Sequence, residues 1–189
     1  DHLGHADAAA PQTAQILEGY GNGGFRIATS SAQAQAFFDN GMQLAAAFAH
    51  KASIEAMKEA VRLDPQCVMC AWGYAWTSGP TINYGIEGDD LAEVQKLAAK
   101  ADALARKRGT RFEREMTRAI VQRYRDGGGG RPGDIAFAKA METIASDNPD
   151  SDALVVLAAD AWMQASDGED EALWTVNSAR AAALLEPVL

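Results

Sequence analysis

From Ser31 onward, apolar side chains recur every three or four residues, and a proline or glycine stops the pattern after each few turns. That spacing selects amphipathic helices over strands, whose buried residues alternate. Composition agrees: 39 alanines stand against 16 valines and isoleucines together, a balance that favours helix. Eight helices are predicted. The first, about 31–48, buries a stripe of Phe37, Phe38, Gly41, Leu44, Ala45 and Phe48. The second, about 51–63, buries Ile54, Met57, Ala60 and Val61 and ends at Asp64-Pro65. The third, about 66–78, carries Trp72 and Trp76 as core residues and stops at Gly79-Pro80. Asp89 caps a long fourth helix closed by Gly109, and Thr110 with Glu113 forms a capping box for a fifth, about 110–125. Pro132 opens a sixth helix that Pro149 ends, a seventh spans about 151–164, and Asn177 or Ser178 caps an eighth.

At 189 residues and 20.1 kDa the chain is one domain or one repeat array. Residues 1–30 lack sustained periodicity and carry Gly19, Gly21, Gly23 and Gly24, so they read as an irregular arm, with the helical domain over 31–189. No apolar run approaches the roughly 18 residues of a spanning helix, so no membrane span is expected. A net charge of -9 argues against a nucleic-acid partner, because such binding relies on clustered basic side chains. The chain opens at Asp1 without a methionine or an apolar leader, which reads as a mature chain whose signal peptide has been removed, periplasmic or secreted.

The helices come in pairs, which points to a repeat. The 34-residue tetratricopeptide pattern fits the first pair: Phe37 takes the Trp slot, Gly41 the glycine, Leu44 the Tyr slot, and Ser53, Met57, Ala60 and Pro65 the following positions. Small residues fall where two helices must approach closely. The same spacing from Pro149 puts Val155, Ala159 and Trp162 in equivalent slots. Pro65 and Pro149 lie 84 residues apart, one repeat of 34 and one expanded unit of 50, so the array is irregular.

The segments Phe38-Asp39-Asn40-Gly41, Glu59 to Cys67, and Met69, Trp72-Gly73 and Ala75 resemble a family of exported bacterial tetratricopeptide-repeat proteins, mostly uncharacterised. Arg111-Phe112-Glu113-Arg114, Arg123-Tyr124, Leu173-Trp174-Thr175 and Leu185 to Leu189 look like later landmarks of it, so the resemblance covers about 25–189. It implies an all-α solenoid, a right-handed superhelix of about four antiparallel helix pairs. It also implies that the chain runs on into further repeats, with 31–189 the N-terminal part of a longer array. That family often carries a cysteine where this chain reads Thr29-Ser30-Ser31, and the departure leaves Cys70 as the one thiol available to Cys67. An array also leaves an apolar face open at its end unless a polar helix caps it. The final Ala-Leu-Leu-Glu-Pro-Val-Leu does not read as such a cap, so residues 181–189 are expected to pack against more chain or a partner.

Three groups of residues are candidates for chemistry. Cys67 and Cys70 form a C-x-x-C at a helix start, where thiol pKa values fall; packing residues, a local disulfide, a redox pair and a soft-metal site with Met69 are the readings open to them. His2 and His5, beside the amino group of Asp1, can hold copper or zinc, or belong to a disordered arm. Residues 106–131 carry nine Lys or Arg against three acids, and 147–171 carry eight acids and no base. Arg111, Arg114, Arg118 and Arg125 share roughly one helix face. In the usual repeat order that helix lines the concave groove, where the arginines would bind an acidic partner segment; the alternatives are an internal match with the acidic stretch or simple solvation.

The resulting expectation is a non-catalytic scaffold that binds another protein or peptide segment and needs no cofactor. A redox or copper-handling protein built on Cys67 and Cys70 or on His2 and His5 is the alternative, and a structural subunit of a larger assembly is the next. Three histidines, none near a plausible nucleophile in sequence, leave little for catalysis.

Overall fold

A computed structural model describes residues 14–20, 25–125, 130–166 and 170–189. Its helices are α1 (Ala32–Ala46), α2 (His50–Leu63), α3 (Val68–Thr77), α4 (Gly88–Arg108), α5 (Arg111–Arg123), α6 (Arg131–Asp147), α7 (Asp152–Gln164) and α8 (Glu171–Leu185), followed by a 3-10 turn, Glu186–Val188. The described chain is all-helical, with one isolated antiparallel bridge between Thr81 and Tyr84. Each helix packs on the next in sequence, and α1 also meets α3, and α3 meets α5.

Close approach of α1 and α2 follows from small residues. A Cβ on Gly41 would lie 2.7 Å from Met57 Cε, and Ser53 Oγ donates to the Gly41 carbonyl at 2.7 Å. Met57, Phe38 and Trp72 are fully buried around that contact. Each such side chain contributes roughly 1.5–3 kcal/mol through burial. Trp72 also donates from Nε1 to the Met116 carbonyl at 3.1 Å, tying α3 to α5. Cys67 and Cys70 are joined as a buried disulfide, and Cys67 Sγ accepts from the Cys70 amide at 3.0 Å, capping α3. The predicted capping box of α5 is present: Thr110 Oγ1 accepts from the Glu113 amide, and Glu113 Oε2 accepts from the Thr110 amide.

The arm is held on the helices. Asn40 exchanges two hydrogen bonds with the backbone of Leu17, and Phe25 meets Phe38 and Phe112 edge-on. At the other end, Glu142 of α6 accepts from Trp162 Nε1 and from Arg180, both at 2.8 Å, while the guanidinium of Arg180 lies 4.5 Å from the Trp162 ring centre.

Three local expectations are corrected. Helix α8 begins at Glu171 rather than near Asn177, because Asp170 accepts from the Leu173 amide as its cap; Asn177 is buried within the helix. Helix α4 begins at Gly88, with no side-chain cap, and Asp89 sits in its first turn. Phe48 does not extend the buried stripe of α1. That helix ends at Ala46, and Phe48 turns outward at φ 60° and is 62% exposed.

Candidate binding groove

A cavity of about 400 Å³ opens between the C-terminal ends of α1 and α3, the loop after α3, and α7. Its walls are built by helical register. Ala153, Val156, Leu157, Asp160 and Gln164 recur on one face of α7, while Met42, Ala45 and Ala46 do so on α1. Trp76 and Thr77 end α3 there, and Pro80 and Ile82 follow in the loop. Trp76 stacks on the core residue Trp72 with ring centres 5.7 Å apart, so one aromatic anchors the core and the next reaches the groove.

Aromatic edges frame the mouth. The His50 ring lies edge-on to Phe48 at 6.0 Å and to Tyr84 at 5.3 Å. The backbone at Phe48 occupies the left-handed region that bulky residues avoid, held by its amide donating to the Ala45 carbonyl. Burial raises the Tyr84 hydroxyl above its ordinary pKa.

At Asp160 and Gln164 the groove meets a buried polar cluster around Arg123, which is 1% exposed. Arg123 donates from Nε to Asp134 Oδ1 at 2.7 Å, and from Nη2 to Gln164 Oε1 at 2.6 Å and the Pro80 carbonyl at 3.4 Å. One residue of α5 thereby fastens α6, α7 and the loop after α3. Its guanidinium also lies over the Phe137 ring, 5.3 Å from the centre. Gln164 Nε2 in turn donates to Asp160 Oδ2. Burial raises the pKa of both Asp134 and Asp160, and the nearby Arg123 opposes it. Two carboxylates and one guanidinium leave this cluster with an excess negative charge, and of the three groups Asp160 lines the groove. The neighbouring Tyr124 hydroxyl, buried without a hydrogen-bond partner, is pushed up to about 12 by desolvation.

The residues expected to form sites are distributed differently. Arg111 is exposed and pairs with Glu115 at 2.7 Å and Asp147 at 3.7 Å, and Arg114 donates to the Gly109 carbonyl. Arg118 and Arg125 are exposed, with no ion pair among the described residues. None of the four lines the groove. Basic and acidic stretches also meet internally, through Arg111 with Asp147 and Arg131 with Asp170 at 3.6 Å. His2 and His5 lie outside the described residues. No group of three His, Cys, Asp or Glu able to hold a metal occurs among the described residues, and no described helix is long and apolar enough to cross a membrane.

Sequence reasoning missed Arg123 and Asp160 as site residues. The signal for Arg123 was its register: it follows Met116, Ala119 and Ile120 on the buried face of α5, where a charge must find partners. The chain matches no protein-family model, no curated protein and no solved structure.

Proposed function

We propose that the chain is a non-catalytic helical-repeat scaffold, a solenoid of four helix pairs resembling tetratricopeptide repeats, that takes an apolar segment of another protein in the groove between α1, α3 and α7. The observation that carries this reading is the groove itself: apolar walls, a strained and exposed Phe48 at the mouth, and Asp160 as the one acidic group in its lining. Strained backbone at a concave site is a feature of binding and catalytic positions. The walls suit large apolar side chains, and Asp160 suits a lysine or arginine among them. Its helical walls α1, α3 and α7 are the first helices of the first, second and fourth pairs, as on the concave face of a repeat array, although α5 of the third pair does not line it.

The buried Cys67–Cys70 disulfide fits a periplasmic or secreted setting, since such bonds persist in oxidising compartments. Within the same proposal, the exposed Trp174, Val176 and Leu189 are covered by a partner protein or by further repeats, continuing over residues 181–189.

Selection of displayed random peptides on the oxidised protein tests the groove. Peptides with two or three large apolar residues beside Lys or Arg are expected, with affinity falling at least about tenfold in Val156→Glu, a change on an exposed site, and less in Asp160→Asn. Acidic peptides whose binding depends on Arg118 and Arg125 would overturn the groove reading and move recognition to the exposed face of α5 and the turn after it.

A further inference from the structure

Asp160 is the one acidic or basic side chain, His50 aside, in the lining of the groove between α1, α3 and α7. Its two carboxylate oxygens are not equivalent. Oδ2 accepts from Gln164 Nε2 at 2.5 Å, whereas Oδ1 receives no hydrogen bond among the described residues and, unlike the Tyr124 hydroxyl, is not sealed from solvent. The Gln164 amide is fixed in this sense. Its Oε1 accepts from Arg123 Nη2 at 2.6 Å, and the reverse orientation would point two N–H donors at a guanidinium. Arg123 is held in turn by Asp134, 2.7 Å from its Nε, and by the Pro80 carbonyl. Three side chains behind the wall, Asp134, Arg123 and Gln164, therefore decide which oxygen of Asp160 the groove offers.

Resting on the groove reading above, we infer that Asp160 selects lysine over arginine in the apolar segment the groove takes, presenting Oδ1 alone to the ammonium, and that Gln164 is the positioning residue for this choice. Arginine draws its advantage from a fork that meets both oxygens of a carboxylate, and here Oδ2 is already engaged. An ammonium needs one acceptor and turns its three donors to suit. Its charge fits as well: Asp134 and Asp160 set two negative charges against the one positive charge of Arg123, which leaves one to be matched. The methylene stem of lysine finds apolar wall beside the acceptor, because Val156 and Leu157 precede Asp160 by about one turn of α7, roughly 5 Å along the helix axis. A divalent cation fits less well. The other side-chain oxygens of the lining, on Gln43, Thr77, Thr81 and Gln164, are uncharged, so such an ion would meet a single carboxylate. An anion would face Asp160 with no cation in the lining to offset it.

Calorimetric titration of the oxidised protein with matched peptide pools tests the assignment. In each pool of acetylated peptide amides, Leu, Met and Phe vary around one fixed central residue, which is Lys, Arg or norleucine. The lysine pool is expected to bind about fivefold tighter than the arginine and norleucine pools, within the range that one net hydrogen bond supplies. Asp160→Asn keeps an oxygen for the Gln164 amide and puts an amide donor where Oδ1 stood, so it should erase the lysine advantage and leave the norleucine pool unchanged. Gln164→Met frees Oδ2, and the arginine pool should then match or pass the lysine pool, a change of preference that lost stability would not produce. The Asp160→Asn comparison decides alone if Gln164→Met does not fold. Equal binding of all three pools by the parent chain, or displacement of the lysine pool by calcium, would overturn the role of Asp160 and leave the apolar groove standing. An unchanged preference in folded Gln164→Met would overturn the role of Gln164. No saturable heat from any pool would overturn the groove reading and this inference together.

Discussion

The two halves of the molecule are joined by different forces. Around α1, α2 and α3 the helices meet through Gly41, Gly73 and Ser53, with Met57, Phe38 and Trp72 filling the space and a disulfide at the start of α3. Around α5, α6 and α7 the junction instead centres on a buried cation, Arg123, with Asp134 and Gln164 as partners. Packing of small against large residues is non-directional and tolerates adjustment. A buried charge tolerates little, because its attraction to partners must offset the loss of water. The first half can yield locally when altered, whereas the second stands or falls with one network.

The strongest way to break this contrast is Arg123→Met. It leaves Asp134 buried without its guanidinium, and a loss of about 3–5 kcal/mol is expected in chemical denaturation. The double variant Arg123→Met with Asp134→Leu should recover part of it, since Asp134 is no longer an unpaired charge while Asp160 stays behind without Arg123. A cost under about 1 kcal/mol for the single variant would erase the distinction between the halves.

A matched pair of glycine substitutions sharpens it. A Cβ on Gly133 would overlap the Arg123 carbonyl oxygen, a backbone atom, while a Cβ on Gly41 meets the mobile end of Met57. Gly133→Ala is expected to cost about 2 kcal/mol. Gly41→Ala should change stability by less than about 1 kcal/mol, because the helix propensity of alanine offsets the displacement of the Met57 methyl. Thermal melts of the two variants side by side give the comparison, and equal costs would count against it.

The smallest effect concerns pH. Burial raises the pKa of Asp134 and Asp160 in the folded chain above the ordinary 3.8, so folding favours their protonated forms. That contribution is fully present below 3.8 and is lost as pH rises through the raised folded values. Glu142 behaves oppositely: hydrogen bonds from Arg180 and Trp162 lower its pKa, so its contribution is present above the ordinary 4.5 and is lost as pH falls through the lowered value. Asp160→Asn is therefore expected to melt slightly higher than the parent chain at neutral pH and to converge with it in acid. A lower melting temperature at neutral pH would mean that Arg123 and Gln164 fully compensate the groove carboxylate.

How much of this was legible in advance depends on the kind of interaction. The helices and most of their ends could be read because each residue supplies its own signal: Pro65 stops α2, and Thr110 with Glu113 starts α5. The helix start at Asp170 was obscured by the surrounding run of acids, where one capping aspartate looks like the next. The groove was not legible because its walls come from residues distant in sequence, Met42, Trp76 and Val156 among them, and each also fits a core stripe on its own helix. Spacing put Arg111, Arg114, Arg118 and Arg125 on roughly one face of a helix over about 110–125, yet it could not show that α5 ends at Arg123, before Arg125, or that Asp147 and Glu115 lie within reach of Arg111. Glu113 was identified as a cap, and nothing local reveals that its second oxygen points at no donor.

Phe48 carries a consequence for how this chain changes over generations. A bulky residue in the left-handed region is held against its own preference, and glycine or asparagine would sit there with less strain. Heat resistance rewarded alone, in a laboratory lineage or a warm habitat, would therefore remove the aromatic ring from position 48. Its replacement would register as a sturdier protein with a bare rim, its edge-on contact with His50 gone.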